Sequence, residues 1–67
     1  MLLEFEEYNK KYHAKYICLL KNDGKQVEGE VLGFREENTG ELTSLLVRNE
    51  EGQFNISLKD VKKIIIL

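Results

Sequence analysis

Sixty-seven residues, 42% of them apolar or aromatic and none of them Pro or Trp, suffice for one small domain, residues 1–67, and no second. One Cys cannot form an internal disulfide, and one Cys with one His cannot complete a structural zinc site. The net charge of −2 is a sum of opposed blocks: Glu4, Glu6 and Glu7 lead, five lysines stand against Asp23 over 10–25, seven glutamates against Arg35 and Arg48 over 26–51, and three lysines against Asp60 over 52–67.

Leu2, Phe5, Tyr8 or Asn9, and Tyr12 recur at the spacing of one helix face, with Glu4, Glu6, Glu7, Lys10 and Lys11 between them. Glu6–Lys10 and Glu7–Lys11 are i,i+4 pairs in the favourable order, and acids first with lysines last suits the helix dipole. The pattern predicts an amphipathic helix over about 2–13. No capping residue precedes Leu2, so its first turn is expected to fray. Lys15 to Lys21 is rich in β-formers and apolar on both faces, as a central strand would be. Asn22-Asp23-Gly24 then has turn chemistry: an Asx side chain to initiate, and a Gly free to take positive φ.

Gln26 to Glu36 is a long strand in which Val27, Gly29, Val31 and Gly33 alternate with Glu28, Glu30, Leu32 and Phe34. The second face turns from charged to apolar halfway, as in a strand that bends from one layer into another, and Gly29 and Gly33 would permit the bend or a bulge. Asn38-Thr39-Gly40 is the second turn. Glu41 to Asn49 carries Leu42, Leu45, Leu46 and Val47. Glu50-Glu51-Gly52, resting on its Gly alone, leads to Gln53–Leu58, where Phe54, Ile56 and Leu58 alternate with Asn55 and Ser57. A single turn around Lys59-Asp60 precedes the last strand, 61–67.

Three successive hairpins and a fifth strand give a mainly β fold. Five short strands with apolar residues on both faces cannot lie as one flat sheet, so the expectation is a strongly bent antiparallel small barrel with the helix over an open end. A core this small rarely yields a net above ~3–5 kcal/mol. Packing alone, or packing with self-association, must therefore hold it.

Gly24, Gly29, Val31, Gly33-Phe34 and Asn38 resemble the first signature of the Sm-like small barrels, within the SH3-like architecture. Arg35 stands where that family usually has an acid, and Asn38 falls about one residue early. The second signature, an Ile-Arg-Gly-like step, is replaced by Ile56-Ser57-Leu58-Lys59-Asp60-Val61-Lys62-Lys63 and Ile64 to Leu67. This segment is similar to the closing strands of the C-terminal barrel of bacterial ribosome maturation factors. The resemblance covers about 15–67 and implies the barrel fold. Of the residues that bind nucleotide in Sm rings it carries over only Asn38.

Cys18 with His13 is the one nucleophile–base pair available, but a Cys among Tyr16, Ile17, Leu19 and Leu20 reads as inert core and His13 as a surface residue. Glu36-Glu37 and Glu50-Glu51 flank turns, where neighbouring strand residues point to opposite faces and do not converge on a substrate. No phosphate loop, EF-hand or zinc knuckle occurs. The expectation is no enzyme, no cofactor and no metal.

Arg35, Asn38 and Arg48, with Phe34, are the candidate RNA contacts. Against them, Glu30, Glu36, Glu37 and Glu41 would repel phosphate and pair with the arginines. Nothing points to DNA in particular. Ile64-Ile65-Ile66-Leu67 is apolar on both faces; with Phe54 and Ile56 it marks a candidate assembly edge, guarded by Lys62 and Lys63. The other reading of this strand is that it closes the barrel against the first. In the resembled rings, neighbouring subunits pair their fourth and fifth strands.

No apolar run approaches the ~18 residues of a membrane span, and the acidic start does not read as a signal peptide. The chain thus reads as a cytoplasmic, non-enzymatic interaction module. It self-associates or docks by protein contact in a ribonucleoprotein or regulatory complex; an RNA-binding ring is the alternative.

Overall fold

The computed structural model describes residues 1–37 and 40–67. Helix α1 (Phe5–Lys11) is followed by strands β1 (Tyr16–Lys21), β2 (Gln26–Glu36), β3 (Leu42–Asn49) and β4 (Gly52–Ser57), a 3-10 turn (Leu58–Asp60) and β5 (Val61–Ile66). All five strands lie in one antiparallel sheet in the order β4-β3-β2-β1-β5. The strand limits fall within one residue of those the apolar alternation predicts, because the turn chemistry between them is local.

At the first hairpin Lys21 N–H donates to the Lys25 carbonyl (2.8 Å), and Gly24 N–H donates to the Lys21 carbonyl (3.0 Å). Gly24 has φ +87°, a conformation that L side chains adopt only at a cost. The Asp23 carboxylate accepts the Lys25 N–H at 2.9 Å. The third hairpin does not rest on Gly52 alone. Asn49 Oδ1 accepts the Glu51 N–H (2.8 Å), and Asn49 Nδ2 donates to the Glu28 carbonyl (2.7 Å), which ties the hairpin tip to β2.

The bend sits in β2. A register shift between Val31 and Gly33 marks a bulge at Leu32. Before it, Gln26 to Glu30 pair with β1 while Glu30 and Val31 also pair with β3; after it, β2 pairs with β3 alone. A second shift, between Arg35 and Glu36, inserts Thr43 into β3. That extra residue changes the phase of the strand, so Leu42 and Leu45, three apart, are both buried. At Gly29 a Cβ would lie 2.5 Å from the Arg48 carbonyl oxygen and from Val47 Cγ1, so β3 crosses β2 here at a distance only Gly allows.

The sheet is strongly bent, but its ladder does not close: β4 and β5 remain its two edges. The register shows why. β5 runs beside Ile17 to Lys21 of β1, and the residues Ile17 to Leu20 pair with Gly29 to Gln26 of β2. β4 runs beside Ser44 to Asn49, the part of β3 that pairs with Glu30 to Arg35. The two edges are therefore offset along the strand axis by about half of β2. Compactness does not depend on closure, since the radius of gyration is 10.8 Å, against ~10.9 Å for a compact chain of this length.

The core joins Ile17 and Leu19 of β1, Val31 of β2, and Leu45 and Val47 of β3 to Leu3, Tyr8, Leu58 and Val61. Burying each such side chain stabilises by about 1.5–3 kcal/mol. The N-terminal segment departs from the predicted helix of residues 2–13. Only seven residues are helical, and Leu3, not Leu2, enters the core: Leu3 is 1% exposed and Leu2 71%. The Leu3 carbonyl accepts the Leu42 N–H at 2.8 Å, and Glu4 forms a bridge with Glu41, so residues before Phe5 are extended beside β3. The first helical turn is tied down by the tertiary fold, with Phe5 N–H donating to the Gly40 carbonyl at 3.1 Å. A helix this short gains little from its own hydrogen bonds; Tyr8 anchors it, its ring 4.8 Å from that of Phe34. Beyond Tyr12 the chain turns at Ala14, φ +60°, and enters β1.

Candidate functional site

Each edge has its own character. β5 follows the 3-10 turn, and after the buried Val61 come Lys62 and Lys63, both exposed. Its neighbours on β1 fix its residues: Ile64 is opposite Leu19, Ile65 opposite Cys18 and Ile66 opposite Ile17. Ile64 packs on the core. Ile65 and Ile66 are 41% and 50% exposed, on opposite faces of the edge. Leu67, 61% exposed, donates its N–H to the Tyr16 carbonyl at 3.0 Å, and Tyr16 is itself half exposed. The patch thus extends beyond the predicted edge to Tyr16. Only pairing brings Tyr16 beside Leu67.

On β4, Phe54 and Ile56 are half-buried, Ile56 against the core. Phe54 instead lines an open groove of about 530 Å³ with Tyr16, Val27, Glu28, Glu50 and Glu51. The Asn49 bonds hold the two hairpin glutamates beside Glu28, so three exposed carboxylates rim this groove.

A cluster of opposite sign forms beside β5. Asn22 N–H donates to the Asp60 carbonyl (2.8 Å) and Asn22 Nδ2 to the Lys59 carbonyl (3.0 Å), while Lys21 pairs with Val61. These contacts bring Lys21 and Lys25 of the first hairpin to Lys59, Lys62 and Lys63, two groups separated by more than thirty residues of sequence. Asp23 and Asp60 are the acids among them, and none of the five lysines forms an ion pair among the described residues.

The proposed RNA contacts are not brought together. Arg35 pairs with Ser44 and Arg48 with Glu30, which separates the two arginines by ~13 Å along β3. Arg48 is engaged by Glu30 at 2.9 Å, an exposed pair of the kind worth ~0–1 kcal/mol. Arg35 is exposed at the far end. Asn38 lies outside the described residues. His13 and Cys18 have separate partners: Nδ1 of His13 is 3.1 Å from the Tyr8 hydroxyl, and Cys18 Sγ donates to Gln26 Oε1 at 3.8 Å. Burial pushes the Tyr8 phenol above its usual pKa of 10.0. Among the described residues no three His, Cys, Asp or Glu side chains converge as a metal site. No described helix is long and apolar enough to cross a membrane.

No family model, no curated protein and no solved structure matches this chain.

Proposed function

We propose that this chain is a non-enzymatic interaction module that acts by protein contact, self-associating through the open edges of its sheet. The observation that carries this reading is the β5 edge. It offers unpaired backbone groups next to Ile65, Ile66 and Leu67, all substantially exposed, and an edge strand of this kind is a template for pairing. The resemblance to Sm-like barrels supports the same reading, because those subunits join through the fourth and fifth strands. A cytoplasmic ribonucleoprotein or regulatory assembly is the setting this implies.

Light scattering across a concentration series tests it. The expected mass exceeds one chain and returns to one chain in Ile65→Lys and Ile66→Lys, with the circular dichroism of the fold unchanged. A single-chain mass at every concentration overturns the reading. A second reading, RNA binding, is favoured by one observation, the five gathered lysines. It predicts saturable binding of a single-stranded RNA pool, with affinity falling steeply as salt rises; binding absent at low salt removes it.

A further inference from the structure

The hydrogen bonds of β1 fix which backbone groups of β5 are free. Leu67 N–H donates to the Tyr16 carbonyl, and in an antiparallel ladder the groups of alternate residues face the same neighbour. Residues 63, 65 and 67 therefore bond toward β1, while the N–H and C=O of Ile64 and Ile66 face the open side. The other flank of β1 agrees, since Val31 N–H donates to the Lys15 carbonyl, one step out of phase with Tyr16. Side chains alternate as well: Ile65 and Leu67 share a face with Cys18 and Tyr16, and Lys63 shares it with Leu20. Along this edge the surface passes from the exposed Leu67, Tyr16 and Ile65 to Lys63 and Lys62. Lys59, Lys21 and Lys25 lie behind them, with only Asp23 and Asp60 as acids in the cluster and no ion pair to any of these lysines among the described residues.

We propose that this edge takes an extended segment of a different protein as an added strand, apolar at alternate positions over most of its length and acidic at one end. The site shares its edge with the self-association above but not its occupant. Each part of the segment answers one observation. Its main chain continues the ladder at Ile64 and Ile66, its apolar side chains cover Ile65, Leu67 and Tyr16, and its carboxylates meet the lysines. Every pair in the sheet is antiparallel, so the added strand enters with its apolar part beside Leu67 and ends with its acids beside Lys62 and Lys63. The chain's own open strand, β4, has no acid from Gly52 to Ser57, so a second copy does not supply this match. An RNA strand would meet the lysines, but it has no peptide groups to continue the ladder, so the edge favours a polypeptide.

A fluorescein-labelled peptide, Val-Thr-Val-Ser-Val-Asp-Glu-Glu, tests this by fluorescence anisotropy with the full chain. Saturable binding is expected at low salt, weakening as salt rises because these charges are screened. Lys62→Glu with Lys63→Glu should weaken it by ~10-fold or more. Both lysines are exposed and outside any ion pair, so circular dichroism should show the fold intact. On the wild-type chain, N-methylation throughout the Val-Thr-Val-Ser-Val part, which keeps the charge but removes the ladder donors, should abolish binding. Binding that survives N-methylation overturns strand addition. RNA-pool binding that the lysine variant loses, with no peptide binding by the wild type, assigns the lysines to a polyanion and also overturns it. A wild-type chain that associates but binds no peptide overturns this proposal and leaves self-association standing. One that binds the peptide yet stays single at every concentration does the reverse.

Discussion

Gly29 and Gly33 look alike in the sequence, each a break in the alternation of one long strand, yet they do different work. At Gly29 a Cβ would meet the Arg48 carbonyl and Val47 Cγ1 at 2.5 Å, whereas at Gly33 nothing among the described residues lies within 4 Å. Gly29→Ala should therefore cost ~1–3 kcal/mol by forcing β3 away from β2. Gly33→Ala should be close to neutral. Urea denaturation of the two variants checks the contrast, and equal losses would show that the crossing of β3 over β2 is not what requires Gly29. The bend was legible as a requirement, in two glycines and a face that turns from charged to apolar. Which glycine carries the crossing was not, because the atoms it must avoid belong to residues almost twenty positions away.

At the scale of elements, the hairpins follow local chemistry and the helix does not. The third hairpin illustrates the first point: Asn49 supplies the two hydrogen bonds that shape Glu50-Glu51 and bind the tip to β2. Asn49→Ala should destabilise by ~1–2 kcal/mol and raise amide exchange at Glu51 beyond that of the first hairpin. Exchange that rises equally throughout the chain would mean a global loss instead of a local one. Asn49 was readable as the end of a strand, but its contact with Glu28 exists only once β2 and β3 pair. The helix shows the opposite case. Its apolar spacing suggested twelve residues and a buried Leu2; the structure keeps seven and buries Leu3. A short helix has little stability of its own, so pairing of Leu3 with Leu42 and packing of Tyr8 on Phe34 decide where it starts and which face turns inward.

The whole molecule is a compact bent sheet with two unsatisfied flanks. Because the core is small, association and folding should be linked: copies that bind only the folded chain stabilise it by mass action. The urea midpoint should rise with chain concentration, the gain approaching ~1.4 kcal/mol for each tenfold increase well above the dissociation constant. In Ile66→Lys the midpoint should no longer move with concentration. A wild-type midpoint that is constant over a hundredfold range would show that the fold stands alone.

The sequence by itself determined the order of elements, the strand limits and the turns, since alternation, Gly and Asx residues act over a few positions. It also determined that the end of the last strand is apolar on both faces. Tertiary structure alone decided that β4 and β5 stay open, because the offset of the edges comes from register along three ladders. Register likewise decided that lysines from two distant segments gather beside β5, and that Glu50 and Glu51 come to stand beside Glu28. What composition presents as a small excess of acid is, in the folded chain, a set of local clusters of either sign. Only pairing across the sheet could place those charges.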